Sequence, residues 1–239
     1  MIVIEPLGDC GLLVQFGEKV NEDVQMKVTA FSKRLAMTQI AGFVDYIPAY
    51  TTVTIIYNPL YFSKSREMSP FDSCKETVDK LLKTTVFKNI EKKNSLITIP
   101  ICYGGQYGPD LITVAKEHSL SEEAVIKIHS EAEYTVSMIG FAPGFPYLNG
   151  LNEQIATPRL ATPRKEVAKG SVGIAGTQTG IYSISSPGGW QIIGRTPVSL
   201  FDHQKTEPSL LQQGDRVRFN CISEAQFDLW EVKEDEYRR

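Results

Sequence analysis

Paired cysteines are missing from this sequence. Cys10, Cys74, Cys102 and Cys221 are scattered, and none stands in a CxxC pair. That spacing excludes a zinc ribbon and the disulfide framework of a small secreted protein, leaving free buried thiols as the expectation. Long apolar runs are missing too, since no stretch approaches the roughly 20 residues that span a bilayer. Met1-Ile2-Val3-Ile4-Glu5-Pro6 has no basic leader followed by an apolar segment, so the chain is expected in the cytoplasm and away from membranes. Positive charge is not in excess: 25 Lys and Arg against 28 Asp and Glu give a formal net charge of -3. Nucleic acids and anionic membranes demand concentrated Lys and Arg, so small molecules or proteins are the expected partners.

Histidine is scarce, and His118, His129 and His203 show no HExxH or His-plus-carboxylate spacing, so no metal site is expected. His129 closes a helical pattern, where a cation would complement the negative helix end. No GxxxxGK[ST] or GxGxxG run is present, and Gly170, Gly173, Gly176 and Gly180 fall in an all-β pattern, where close glycines more often serve hairpin turns than phosphates. Gly176-Thr177-Gln178-Thr179-Gly180 has the glycine spacing of a nucleophile elbow, but the amide at its centre cannot attack a carbonyl. Ser185-Ser186-Pro187-Gly188-Gly189 has amidase-like serines without an assignable base, and reads as a turn.

What is present is an ordinary globular composition, 42% hydrophobic and 22% charged, enough for one large domain or two small ones. Apolar runs at Ile2 to Ile4 and Leu12 to Phe16 flank the turn signal Gly8-Asp9. Asn21 can cap a helix with Val24, Val28, Phe31 and Leu35 on one stripe. Strands are predicted at Phe43 to Ile47 and Thr52 to Tyr57 around Pro48-Ala49-Tyr50, then a helix through Val78, Leu81 and Leu82. This β, β, α, β, β, α order predicts antiparallel hairpins with helices on one side, an α+β domain over residues 1–92.

Polar residues around Glu91-Lys92-Lys93 mark the expected boundary, followed by a strand through Ile97, Ile99 and Ile101. Pro109 at a first helical position opens one short helix, and Ser121 opens another through His129. That pair is not a DNA reader, because Lys127 is the second helix's lone basic residue and Glu122 and Glu123 stand at its start. From Glu133 on, short runs at Tyr134 to Ile139, Val172 to Ala175, Ile181 to Ile184, Trp190 to Ile193, Val198 to Phe201 and Val217 to Phe219 predict a β-barrel or sandwich. The second domain is thus residues 93–239, with a leading helix pair and a charged, solvated tail from Glu231 to Arg239.

Between Gly140 and Trp190 the chain holds aromatic and Arg side chains on Pro- and Gly-fixed turns. Arg159 and Arg164 each follow a proline, and Arg195 follows Gly194. Guanidinium forks suit carboxylates and phosphates, and rigid neighbours reduce the entropy lost in holding them. Near turn aromatics, these arginines make a binding site as reasonable as a solvated surface.

These stretches resemble the allophanate hydrolase subunit 1, or KipI/PxpB, family, the B subunits of prokaryotic 5-oxoprolinase. The resemblance rests on Pro6-Leu7-Gly8-Asp9, Ile47-Pro48-Ala49-Tyr50, Ile99 to Gly105, Gly140 to Leu148, Gly170 to Gly176, Gln178 to Tyr182, Ser186 to Trp190 and Gly194-Arg195-Thr196-Pro197. They run in order to Gly214-Asp215-Arg216-Val217. It implies a small α/β domain followed by a cyclophilin-like β-barrel. It also implies a complex with a second cyclophilin-like subunit (C) and an A subunit, opening 5-oxo-L-proline to L-glutamate at the expense of ATP, with Mg accompanying the nucleotide. No activity is expected of the chain alone. The family name also carries a rival expectation, a protein that inhibits a sensor histidine kinase by docking on its helical domain. A plain scaffold is the third. For the enzyme reading, Arg159, Arg164 and Gln178 are the candidate catalytic residues. Phe141, Pro143, Gly144, Phe145, Trp190 and Arg195 are the candidate substrate- or partner-binding residues.

Overall fold

The computed structural model describes residues 2–63, 67–87 and 96–230. Two compact units divide the chain, Met1–Lys92 and Lys93–Arg239. The expected boundary at Glu91-Lys92-Lys93 and the charged tail lie outside the described residues.

In the first unit β1 (Val3–Leu7), β2 (Gly11–Gln15), α1 (Glu22–Met37), β3 (Phe43–Pro48), β4 (Thr52–Tyr57), α2 (Pro59–Phe62) and α3 (Pro70–Thr84) follow one another. The strands form an antiparallel sheet in the order β1-β2-β4-β3. Asn21 Oδ1 accepts from Val24 N at 2.9 Å and so satisfies one orphan donor at the start of α1. The predicted stripe of α1 is buried with Leu12, Val14, Val53 and Ile55 of the sheet and with Cys74, Val78 and Leu81 of α3. Alternation along the strands sends these side chains to one face, where the helices cover them.

The second unit contains β5 (Leu96–Tyr103), α4 (Leu111–Glu117), α5 (Glu122–Glu131), β6 (Glu133–Ile139), β7 (Pro146–Asn149), β8 (Arg164–Val167), β9 (Ser171–Ala175), β10 (Gln178–Ile181), β11 (Ser186–Gly188), β12 (Gln191–Arg195), β13 (Arg216–Cys221) and α6 (Glu224–Trp230). A closed barrel runs β10-β7-β6-β13-β5-β12-β9, with β11 and β8 as a separate ribbon. Closure removes the exposed edges that an open sheet would leave. The α+β class and the barrel implied by the resemblance are the observed architecture.

Several local expectations are corrected. Val198 to Phe201 is not a strand. Pro197 has no amide hydrogen to continue a ladder from β12, and Phe201 forms only an isolated bridge to Ser209. The strand placed at Ile181 to Ile184 is instead Gln178–Ile181, and Tyr182 to Ile184 lie beyond its end. Pro109 is not the first residue of α4: Asp110 is the N-cap, without a side-chain capping bond, because its carboxylate is engaged elsewhere. Free thiols are found, but Cys10 and Cys221 are exposed and only Cys74 and Cys102 are buried. Burial pushes the Cys74 thiol up to about 12. Burial, with Glu224 nearby, brings Cys102 to about 11.

His129 is not a helix-end cation. It is fully buried and stacks on Phe219 with ring centroids 4.8 Å apart and planes at 2°. Burial pulls its pKa down to about 3, so the ring is neutral. Thr179 Oγ1 donates to the Gly173 carbonyl at 2.9 Å, so it accepts from His129 Nε2 at 3.0 Å. Nδ1 then accepts from the Tyr103 hydroxyl at 2.7 Å. All the polar valences of the imidazole are satisfied inside the barrel unit, as burial of a polar group requires.

Candidate functional site

The floor of the site is a cross-strand glycine pair. Gly173 of β9 lies opposite Gly180 of β10, and neither serves as the hairpin turn expected of it. A Cβ on Gly173 would stand 3.1 Å from Trp190 Cβ, and one on Gly180 would stand 3.0 Å from Trp190 Cζ3 and 3.1 Å from Phe145 Cζ. Missing side chains therefore let two rings sink onto the sheet. Above that floor Phe145 meets Trp190 edge-on at 5.5 Å and Tyr182 edge-on at 5.4 Å, the geometry that ring quadrupoles favour. Phe145, Tyr182 and Trp190 are 1%, 2% and 5% exposed. Phe145 and Trp190, two of the candidate substrate- or partner-binding residues, are thus the buried support of a surface. Burial also pushes the Tyr182 phenol up, although a hydrogen bond with the Trp190 backbone and, more weakly, Arg159 and Arg164 oppose the shift.

On this support stands Phe141, 63% exposed and edge-on to Phe145 at 5.4 Å. Its φ of 67° is left-handed, a conformation that costs an ordinary residue about 1–2 kcal/mol. The loop holds it there by closing on itself: Gly140 N donates to Phe145 O, Ala142 N to Gly140 O and Phe145 N to Ala142 O, at 3.1, 2.8 and 3.0 Å. The Pro143 carbonyl accepts from Ser183 Oγ at 2.6 Å. Gly144 has φ 74°, and a Cβ there would press on Phe201 Cβ at 2.8 Å.

Arg159 is exposed and lies with its guanidinium carbon 5.9 Å from the Trp190 ring centroid. Arg164 is a different kind of residue. Its Nη2 pairs with Asp110 Oδ1 at 2.6 Å and its Nη1 donates to the Trp190 carbonyl at 3.3 Å. Asp110 Oδ2 in turn accepts from Ile192 N at 2.6 Å. Arg164 therefore pins the Trp190 segment to the start of α4, and its expected part as a free anion binder is replaced by that internal one. Asp110 is the residue sequence reasoning missed. Its one signal was a carboxylate after Pro109, which reads as an ordinary helix start.

Gln178 opens β10 half-buried and, by strand alternation, shares a face with Gly180. Arg195 ends β12, about 16 Å from Trp190 by strand rise, with Nε donating to the Lys169 carbonyl at 2.8 Å. Phe141, Phe145, Trp190 and Arg159 are thus brought together, and Arg195 is held apart. The amidase-like serines stay without a base: Ser185 Oγ donates to Glu166 at 2.7 Å, and Ser186 Oγ is buried with no protein partner. Thr179 with His129 has the outline of a nucleophile and base, but both are fully buried and the hydroxyl is spent on a carbonyl. No group of His, Cys, Asp and Glu among the described residues could hold a metal ion.

The described residues thus place a closed barrel after a four-stranded α+β unit in the chain, and the barrel bears an aromatic and Arg surface on which no activated nucleophile stands. The family model for the carboxyltransferase domain, subdomain C and D, matches residues 2–211. The chain belongs to this family, within the group of 5-oxoprolinase B subunits (PxpB/KipI). It is 45% identical over 230 residues to the 5-oxoprolinase B subunit of Bacillus subtilis (strain 168), covering 95% of each chain. With the Escherichia coli O157:H7 protein of the same name it shares 39% over 214 residues, 89% of this chain and 93% of that one. Among solved structures it superimposes on TTHA0988 with a TM-score of 0.78 at 34% identity, over 89% of this chain but only 40% of that longer one.

Proposed function

We propose that this chain is the B subunit of an ATP-dependent 5-oxoprolinase, opening 5-oxo-L-proline to L-glutamate together with a second cyclophilin-like subunit and an A subunit. The observation that carries this reading is the match to B subunits along nearly the whole chain. The geometry agrees with a shared site. An exposed Phe141 held in a strained conformation and an exposed Arg159 rest on the same buried Phe145–Trp190 support, and among the described residues no activated nucleophile stands with them. Strain of this kind collects at binding and catalytic surfaces, and aromatic and Arg side chains are the usual anchors of interfaces.

A lactam amide resists hydrolysis. Phosphorylation of its carbonyl oxygen makes a better electrophile and leaving group, and such chemistry calls for cationic stabilisation rather than a strong nucleophile. The Trp190 surface does not by itself fit a nucleotide: Arg159 is its one cation without an ion pair among the described residues, and no glycine-rich loop opens a helix there. Nucleotide chemistry therefore belongs to the assembled complex. Arg159 meets the substrate carboxylate or a phosphoryl oxygen, Gln178 offers an amide donor, and Phe141 meets the partner chain. Arg164 acts through Asp110 by holding the Trp190 segment in place.

Replacing Arg159 by Ala tests this in the reconstituted complex. Turnover falls about 10- to 100-fold, the loss of one charge-assisted contact, while the purified chain keeps its melting temperature. Undiminished ATP-dependent turnover in that variant removes Arg159 from the site.

A further inference from the structure

The end of β12 remote from Trp190 carries a second cluster that the B-subunit reading leaves unused. Arg195 and Lys169 line an open groove of about 270 Å³ with Gly170, Thr196, Val198 and Phe227. Arg195 is fixed on two sides. Its Nε donates to the Lys169 carbonyl at 2.8 Å, and its guanidinium carbon lies 5.9 Å from the Phe227 ring centroid. Phe227 is itself 3% exposed and packs on Tyr107 at 4.4 Å, so the shelf under the guanidinium is firm. These contacts occupy Nε and one face, leaving the terminal Nη edge that grips oxyanions with two parallel bonds.

Lys169 is steered as well. Its Nζ donates to Ser199 Oγ at 2.9 Å, and that hydroxyl donates to the Phe201 carbonyl at 3.1 Å. Two further ammonium hydrogens remain. The turn between the cations is built for close approach: Gly170 has φ 84°, and a Cβ there would stand 2.3 Å from the Thr196 carbonyl. Thr196 N donates back to Gly170 O at 2.9 Å. Among the described residues no carboxylate pairs with either cation. Both Lys169 and Arg195 thus face a groove with their stems fixed and, among the described residues, without a paired carboxylate.

We propose that this groove is a phosphate site, taking orthophosphate or the phosphoryl end of a larger ligand. Two full cations match a dianion, whereas a monocarboxylate would leave one unmatched. The volume lies just below the roughly 300–1,000 Å³ of pockets that enclose drug-sized ligands, which suits a phosphoryl group rather than a whole nucleotide. The site is a property of the chain alone. Its test needs no partner subunit, so it can fail without the 5-oxoprolinase reading failing, and the reverse.

The full-length chain is titrated at constant ionic strength while its backbone amide and Arg side-chain NMR signals are followed, with orthophosphate and ATP in separate series. Saturable shifts of Gly170, Thr196, Val198 and Arg195 Nε–H are expected with orthophosphate. Lys169→Met and Arg195→Lys should each weaken that binding about tenfold or more, the scale of one charge-assisted contact. Lys169 is exposed, so its variant keeps the fold, and Arg195→Lys keeps the charge while losing the fork. ATP saturating the same signals at lower concentration identifies a phosphorylated ligand as the source, and orthophosphate binding as tightly or more tightly identifies the free ion. Absence of saturation, equal shifts with chloride, affinity unchanged in both variants, or saturation by acetate or 5-oxoproline but not phosphate overturns the proposal.

Discussion

Arg159 and Arg164 follow prolines in near-identical sequence contexts, yet their surroundings give them opposite sensitivities. Arg164→Ala leaves the Asp110 carboxylate, with its side chain 10% exposed, without its cation. A loss of about 2–3 kcal/mol in unfolding free energy is expected from denaturant titration. Arg159→Ala should leave that titration unchanged. Such a difference is invisible in sequence, because the partner of Arg164 is 54 residues away and looks like a helix cap. His129 is a second case. Its folded pKa of about 3 lies below the ordinary 6.5 of the unfolded chain, so between those values only the unfolded state binds the proton. Stability is therefore complete above pH 6.5 and is lost as pH falls, by about 1.4 kcal/mol per pH unit down to pH 3. Denaturant titrations at pH 6 and pH 4 measure this, and replacing His129 by Gln should flatten the slope. The sequence showed a histidine at a helix end, but not that the end faces the core.

At the scale of elements, the first unit was readable because its signals are local. Asn21 caps α1, the i, i+4 stripe of that helix is buried, and the hairpin order follows from the turn residues. The barrel was readable as a class but not strand by strand. Gly173 and Gly180 look like turn residues in isolation, and only the arrival of Trp190 and Phe145 from elsewhere in the chain explains them as a strand pair. Gly180→Ala should accordingly cost about 2 kcal/mol through overpacking and broaden the Trp190 signals in near-ultraviolet circular dichroism. The Phe141 loop makes the converse prediction. Phe141→Gly relieves the left-handed strain and should stabilise the isolated chain by about 1 kcal/mol. It should also weaken association with the partner subunits, because the exposed ring is gone. A variant that is neither more stable nor poorer at assembly would contradict the part given to this loop.

At the scale of the whole molecule, the chain has the architecture and family of a 5-oxoprolinase B subunit, while its aromatic surface carries no activated nucleophile and no metal cluster among the described residues. Sequence reached the family through motifs spread from residue 6 to residue 217, and it reached the candidate surface through the Pro, Gly, aromatic and Arg mixture of residues 140–190. It could not divide that surface into buried support and exposed contact, since burial depends on which strands meet across the barrel. Nor could it separate Arg195 from the other arginines, because proximity in sequence to Trp190 is undone by the extended run of β12. The central claim is that this chain completes an ATP-dependent 5-oxoprolinase. Its most direct test mixes the purified chain with the second cyclophilin-like subunit, the A subunit, ATP and 5-oxo-L-proline, omits each protein in turn, and measures L-glutamate. Glutamate formed by the complete mixture and lost on omission of this chain is the predicted result; no glutamate from the complete mixture, or equal glutamate without this chain, contradicts it.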